Sequence, residues 1–152
     1  MLIRVLWVGK TRDRAAADWI EEYRRRLCRA CPVEIVEVRD AAGKGSARAA
    51  REGKALASRI ERGGLTVALD EAGQEMTSAE MARWLGRTLE SRGTITFLLG
   101  GPEGLGEGVA ASADLTLSLS RLTFTHEMAR VLLLEQLYRA FSILEGTPYH
   151  RG

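Results

Sequence analysis

Short apolar runs rich in strand-forming residues alternate with amphipathic helical patterns along the whole chain, and this alternation constrains the fold most strongly. A chain that repeats strand and helix in this way folds as a parallel sheet with helices on both faces. We therefore predict an α/β architecture, and 152 residues correspond to one domain spanning 1–152. The predicted strands are 2–8, 33–38, 65–69, 94–99 and 114–119; the predicted helices are 13–29, a segment from Ser46 to near Gly63, 78–92 and 126–145, with Asp13, Ser46 and Thr77 or Ser78 as capping residues.

The composition excludes several classes of protein. With 45% hydrophobic and 28% charged residues, the chain is typical of a globular protein rather than a disordered one. No apolar run reaches the ~18 residues that a membrane span requires, and the first eight residues lack the pattern of a signal peptide. Cys28 and Cys31 are the only cysteines, so no disulfide framework is available and we expect a cytoplasmic protein.

Positive charge is concentrated in the first part of the chain. Residues 1–63 contain 15 Lys and Arg against 9 Asp and Glu, whereas residues 64–152 contain 7 against 11. A basic half indicates contact with a polyanion such as a nucleic acid. Arginine accounts for 19 of the 22 cations, which suits phosphate binding but is also what a GC-rich genome produces.

The last predicted helix is apolar on nearly every side. Its ten apolar residues between Met128 and Leu144 point in almost all directions around the axis, rather than forming one stripe. Such a helix must be covered on more than one face, either inside its own domain or by a second copy of the chain. In a small five-strand domain we expect the second arrangement, a homodimer formed through this helix.

Two motifs are candidates for metal, redox or ligand binding. The C-x2-C pair of Cys28 and Cys31 cannot fill a four-ligand zinc site, and it falls at a helix end rather than at the helix start typical of redox pairs. We therefore expect no metal. The glycine-rich stretch 100–108 lacks the G-K-[ST] of a Walker phosphate loop. It follows a predicted strand, however, and the carboxyl ends of parallel strands are where open α/β sheets bind ligands.

Polar and aromatic residues also collect after the last strand and at the carboxyl terminus. The segment from Leu119 to His126 offers hydroxyl groups, an arginine and a histidine at the entry to the last helix. The terminal Tyr149, His150 and Arg151 combine stacking, hydrogen bonding and phosphate contact, which are the means by which proteins hold unstacked RNA bases. With no core residue expected after Pro148, we predict that the tail binds RNA and that its deletion affects folding little.

Taken together, the motifs resemble one family, the ribosomal RNA large subunit methyltransferase H group, whose members are minimal SPOUT methyltransferases. The resemblance covers essentially the whole chain. The segments that carry it, in order, are Val8–Lys10, Leu69–Gly73, Leu99–Gly104, Leu117–Phe124, Arg130–Ala140 and Pro148–Arg151.

The resemblance implies a SPOUT-type α/β fold with a trefoil knot in its C-terminal part, a homodimer, and S-adenosylmethionine as the methyl donor. It also implies the reaction, N3-methylation of pseudouridine in the helix-69 loop of 23S ribosomal RNA within the ribosome. By position in the motifs, it places cofactor contacts at Leu69, Gly100, Leu119, Ser120, Arg121, Leu122, Thr123 and Phe124. Leu119, Leu122 and Phe124 as apolar walls, with Gly100 and Gly101 admitting a close ligand, are consistent with adenine recognition by backbone groups.

The acceptor nitrogen N3 carries a proton, so a base or a stabilising cation is required. His150, His126 and Arg130 are the candidates. One departure is visible, since Thr125 occupies the position where the family usually has Pro. Two alternatives remain open: a non-catalytic ribosome-assembly or RNA-binding factor of the same fold, and a tRNA-directed SPOUT methyltransferase, although the latter usually carries an added RNA-binding domain.

Overall fold

A computed structural model describes residues 1–151, which form five strands and five helices. Strands and helices alternate strictly along the chain. The elements are β1 (Leu2–Val8), α1 (Arg14–Leu27), β2 (Val33–Val38), α2 (Gly45–Ala57), β3 (Leu65–Glu75), α3 (Ser78–Arg92), β4 (Thr94–Leu99), α4 (Glu107–Ser112), β5 (Leu115–Ser118) and α5 (His126–Leu144).

The five strands form one sheet in the order β2-β1-β4-β3-β5, and every neighbouring pair is parallel. The central strands β1 and β4 are buried along almost their whole length, because helices cover both faces of the sheet. All five carboxyl ends therefore lie at the same edge of the sheet. The predicted α/β class and the parallel sheet are confirmed.

Helices α1, α3 and α5 cover one face of the sheet, and α2 and α4 cover the other. The larger core cluster joins Trp7 and Phe97 of the sheet to Leu27, Leu85 and α5. The smaller cluster, on the opposite face, packs Leu56 of α2 and Val109 of α4 against the other side chains of the same strands. Within residues 1–151, no helix is long and apolar enough to cross a bilayer.

Capping chemistry fixes the starts of several helices as predicted. The Asp13 carboxylate accepts the Ala16 backbone N–H at 2.8 Å and begins α1. Thr77, rather than Ser78, begins α3, and it forms a reciprocal capping box with Glu80.

Two predicted elements differ from the structure by several residues, and one helix was missed. Helix α2 begins at Gly45, with Lys44 rather than Ser46 at the cap position, and it ends at Ala57. Strand β3 extends beyond residue 69 to Glu75, because the chain bulges and then pairs again with β5. The short helix α4 was not predicted, since the glycine-rich sequence before it indicates only a turn.

The apolar residues on nearly every side of α5 have a different explanation from the one we expected. Leu133, Leu134 and Leu137 are fully buried within the chain itself, because α5 lies between α1 and α3 and against the sheet. The apolar helix therefore does not by itself require a second copy. The trefoil knot that the resemblance implies stays a prediction.

Candidate functional site

Three connecting segments leave the sheet at its carboxyl edge, after β3, β4 and β5, and the first and third of them are in contact. Leu69 is level with Leu117 of β5 in the parallel register. The β3 extension lies directly on β5, since a Cβ added at Gly73 would be 2.7 Å from the carbonyl oxygen of Thr116. A glycine is thus required there for two backbones to touch. Leu69 therefore lies beside the end of β5, from which the segment Leu119–Phe124 continues.

The glycine-rich turn after β4 closes tightly on itself. A Cβ at Gly100 would lie 2.3 Å from the carbonyl carbon of Gly104, so no other residue fits. At Gly101 the nearest side-chain atom would be 3.5 Å away, which is an ordinary contact. The need for glycine at position 100 therefore comes from closure of the turn, not from the approach of a ligand that we expected.

Two side chains of the β5–α5 loop bind the β3 extension. The Thr123 hydroxyl donates to Glu71 at 2.5 Å. Arg121 lies 3.6 Å from the Glu75 carboxylate, although both side chains are largely exposed. An exposed pair of this kind adds little stability, but the two contacts hold the predicted cofactor loop against its neighbour.

The same loop presents the apolar side chains that we predicted as adenine walls. Leu119 and Phe124 are half-buried, whereas Leu122 is 72% exposed. The Ser120 hydroxyl accepts the Leu122 N–H at 3.0 Å and shapes the turn between them. An apolar side chain this exposed is available to cover a ligand.

A cleft of about 270 Å³ opens beside this loop, between the end of β5, the start of α3 and α5. The Ser118 hydroxyl is buried there without a hydrogen-bond partner among residues 1–151. Buried polar groups are normally paired, so an unpaired hydroxyl indicates a place for a ligand or water. The cleft is lined by Met76, Thr77, Ser78, Met81, Leu117, Ser118, Leu119 and Gln136.

Of the residues around this cleft, only Leu119 was predicted as a site residue. Gln136 follows Glu135 on the largely apolar helix α5, and its side-chain carbonyl accepts the Ser78 hydroxyl at 2.7 Å. This polar pair is the one sequence signal by which Gln136 was recognisable. Of the other cleft residues, Leu117 and Ser118 belong to β5, and the rest come from the start of α3 and the segment before it, which only tertiary packing brings to the site.

Thr125 has the backbone conformation that the usual proline would impose, and its side chain adds a hydrogen bond. Its φ of −60° lies in the range that a proline ring imposes. Its hydroxyl accepts the Met128 N–H at 3.3 Å and caps α5. The replacement therefore keeps the entry to α5 intact.

His126, the first residue of α5, faces helix α2. Burial lowers the pKa of His126 below its usual value, and the nearby charges of Arg130 and Arg48 lower it further. A lowered pKa keeps the imidazole neutral near pH 7, with one nitrogen free to accept a proton.

Arg130 is fully buried. Its guanidinium donates to the Val8 carbonyl and, at 2.9 Å, to the Thr11 hydroxyl, and it stacks 4.8 Å from the centre of the Trp7 ring. Burial lowers the pKa of this guanidinium. Arg130 thus anchors α5 to the loop after β1. Because its side chain is fully buried, it offers no surface to a substrate.

The carboxyl-terminal tail is anchored rather than free. The Tyr149 hydroxyl lies 3.0 Å from Tyr23 and donates to Glu135 at 3.0 Å. Arg139 lies over the Tyr149 ring and approaches His150 Nδ1 at 3.3 Å. Our premise that no core residue follows Pro148 is wrong, because Tyr149 packs against the core.

Arg151 is the one predicted tail residue that stays exposed, and it contacts only the Pro148 carbonyl, at 3.2 Å.

The candidate catalytic residues do not converge within one chain. His126 begins α5, whereas His150 contacts Arg139, thirteen residues along the same helix, a rise of about 20 Å. A single chain therefore places the two histidines at opposite ends of α5.

Among the described residues 1–151, no cluster of side chains has the composition of a metal site. Cys28 is exposed and Cys31 is buried just beyond the end of α1.

Comparison with known proteins gives a consistent assignment. A family model described as "Predicted SPOUT methyltransferase" matches residues 1–150. The chain is 43% identical to Ribosomal RNA large subunit methyltransferase H of Geotalea daltonii over 99% of both proteins. It is 45% identical to the protein of the same name from Prochlorococcus marinus, over 97% of this chain and 94% of that protein.

A crystal structure of a probable methyltransferase from Bordetella pertussis Tohama I shares the fold. The TM-score is 0.54 at 18% identity, over 91% of this chain and 95% of that one. Together with the matches over nearly the full length, the parallel sheet and the three loops at its carboxyl edge lead to one assignment: the chain belongs to the SPOUT methyltransferase family, among the relatives of ribosomal RNA large subunit methyltransferase H.

Proposed function

We propose that this protein methylates N3 of pseudouridine in the helix-69 loop of 23S ribosomal RNA, with S-adenosylmethionine as the methyl donor. The observation that carries the proposal is the cleft beside the β5–α5 loop, which contains an unpaired buried hydroxyl. The names of the relatives, which are about 43% identical over the whole chain, support ribosomal RNA as the substrate.

The residues around the cleft fit a ligand that is apolar at one end and polar at the other. Leu119 in the cleft, with Leu122 and Phe124 of the adjoining loop, offers apolar surface for a base, while the Ser118 hydroxyl and Gln136 offer polar contacts. When bound, S-adenosylmethionine supplies a methyl group on a sulfonium, a chemistry that requires no metal. The protein aligns the acceptor with that group and excludes water.

Removal of the N3 proton falls to one of the two histidines. His126, kept neutral by its lowered pKa, has the protonation state of a base. Arg139 donates to His150 Nδ1, so a neutral His150 carries its proton on Nε2. We assign Arg130 a positioning role, because both hydrogen bonds that its guanidinium makes in the structure go to the protein.

The separation of the two histidines supports a site shared between two protomers. In this arrangement the tail of one protomer, with Tyr149, His150 and Arg151, meets the cofactor loops of its partner and holds the target RNA. We propose a cytoplasmic homodimer, formed from a single SPOUT domain per chain, that acts on the ribosome.

Two measurements test the function. Calorimetry with S-adenosylmethionine is expected to show binding by wild-type protein, and mass spectrometry of 23S ribosomal RNA from a strain without the gene is expected to show loss of one methyl group on the helix-69 pseudouridine. Absence of binding at millimolar cofactor by folded protein would favour a non-catalytic RNA-binding factor. Loss of a methyl group from transfer RNA instead would favour the tRNA-directed enzyme.

A further inference from the structure

A second concave surface lies at the same edge of the sheet, after β1 and β2. It encloses about 710 Å³ and is larger than the cleft beside β5. The motif Val8–Lys10 reaches this surface, but neither the predicted cofactor contacts nor the reaction proposed above uses it. We call this surface the β1–β2 groove; it is lined by Gly9, Lys10, Arg12, Glu37, Val38, Arg39 and Asp40.

Unpaired positive charge dominates the groove. Lys10, Arg12 and Arg39 are exposed, and none of them forms an ion pair within residues 1–151. Of the two acidic residues, Asp40 faces Arg48 at 3.8 Å, which offsets its charge. Glu37 is exposed and lowers the net charge of the groove without reversing its sign.

Three hydrogen bonds fix the backbone around the loop that carries Lys10 and Arg12. The Gly9 N–H donates to the Val38 carbonyl at 2.7 Å, in a left-handed conformation that suits glycine, with φ of +76°. Buried Arg130 donates to the carbonyl of Val8 and to Thr11.

Glu127, in the first turn of α5, accepts the backbone N–H groups of Arg12 and Asp13. These contacts leave the cationic side chains free while fixing the backbone that presents them. A preorganised cationic loop loses less entropy on binding an anion than a mobile one.

The groove is next to the glycine-rich turn after β4. Strand β1 pairs with β4 up to Trp7 and Leu99, so the loop after β1 emerges beside the turn at Gly100. Neighbouring strands are ~4.8 Å apart. A polynucleotide bound at the loops after β3, β4 and β5 therefore reaches the groove within a few nucleotides.

We propose that the β1–β2 groove binds the phosphate backbone of the RNA that flanks the methylated nucleotide. Arginine and lysine contact phosphate oxygens without reading the base, so the groove supplies affinity and register rather than sequence specificity. The proposal rests on the proposed function in one respect, that the substrate is RNA.

The test compares two charge-matched triple variants. The groove variant is K10A/R12A/R39A, and the control is R83A/R87A/R92A on α3, where all three arginines are exposed and form no ion pair in residues 1–151. The backbone N–H of Arg12 is kept in the groove variant, so its bond to Glu127 survives. Urea unfolding verifies that both variants are folded.

Binding of wild-type protein and both variants to purified ribosomes is measured without cofactor at several salt concentrations. We expect the groove variant to bind about tenfold more weakly or worse, with a slope of log affinity against log salt shallower by about 2. Its KM for ribosomes rises correspondingly, its affinity for S-adenosylmethionine stays at the wild-type value, and the α3 variant behaves as wild type. Equal affinity and equal salt slope in the two variants overturn the proposal.

The outcomes separate this proposal from the proposed function. If wild-type protein binds ribosomes in a salt-dependent manner but transfers no methyl group, the proposed reaction is refuted. The groove proposal is then decided by the difference in ribosome affinity between the groove variant and the α3 variant. Wild-type protein that binds no ribosomes refutes both the RNA substrate and the groove.

Discussion

At the scale of single residues, Arg130 shows how a charged side chain inside the core organises the exposed loops around it. It is one of the largest fully buried side chains, and its partners lie on β1 and in the loop that follows. From the sequence, an arginine one turn after His126 was a plausible catalytic cation. Only the tertiary contacts reveal that its hydrogen bonds are directed inward.

Replacement of Arg130 by methionine is expected to reduce the free energy of unfolding by about 2–4 kcal/mol, because the buried Val8 carbonyl loses a partner and the stack on Trp7 is lost. The measurement is urea unfolding at pH 7. The control is R87M, at an exposed position of α3, which is expected to change the free energy of unfolding by no more than about 0.5 kcal/mol. If R130M unfolds like wild type while its kcat collapses, Arg130 contacts the reacting atoms after all.

At the scale of elements, the strands were predictable and the irregular segments were not. Strands β1, β2 and β4 have the predicted bounds, because their apolar runs end abruptly at polar or glycine residues. The extension of β3 depends on pairing with β5, which is more than forty residues away in sequence. No local pattern encodes such a contact. The tail was misjudged for the same reason, since the partner of Tyr149 on α1 is Tyr23.

The tail residues that follow Tyr149 are expected to bind the substrate. Deletion of residues 150–152 keeps the Tyr149 anchor, so unfolding and affinity for S-adenosylmethionine should stay close to wild type. Loss of His150 and Arg151 should lower methylation of purified ribosomes at least tenfold, since ~1.4 kcal/mol of lost contact corresponds to one decade in rate. The control is Y149F, which keeps the whole tail but breaks the bonds to Tyr23 and Glu135 and should cost stability by about 1 kcal/mol. Full activity in the truncated protein would exclude the tail from substrate binding.

At the scale of the whole molecule, the surface formed by α1 and α5 is the place where we expect a second copy to bind. The two helices pack together, and each exposes a large apolar side chain: Trp19 is 51% exposed and Met128 is 49% exposed. Leu133 and Leu137 of the same helix are not available to a second copy, since both are buried inside one chain. Their substitution would unfold the protein instead of separating two protomers.

Wild-type protein is expected to sediment as a dimer at micromolar concentration. The double variant W19D/M128D places two charges in the interface and should raise the dimer dissociation constant at least ~100-fold, which corresponds to about 2.7 kcal/mol. L144D provides a control, because Leu144 is similarly exposed, at 46%, but lies at the far end of α5. A monomeric wild type, or a double variant that dimerises as tightly as L144D, would refute this interface.

The strand order β2-β1-β4-β3-β5 also sets how the chain is made. Strand β1 leaves the ribosome first, yet one of its two neighbours, β4, begins only at Thr94. At a synthesis rate of ~5–20 residues per second, one edge of β1 stays without its partner for several seconds. During that interval an apolar strand edge is open to pairing with other chains. The strand order therefore makes rapid synthesis of residues 39–93, or cover of β1 by a chaperone, favourable for the nascent protein until β4 can close the core.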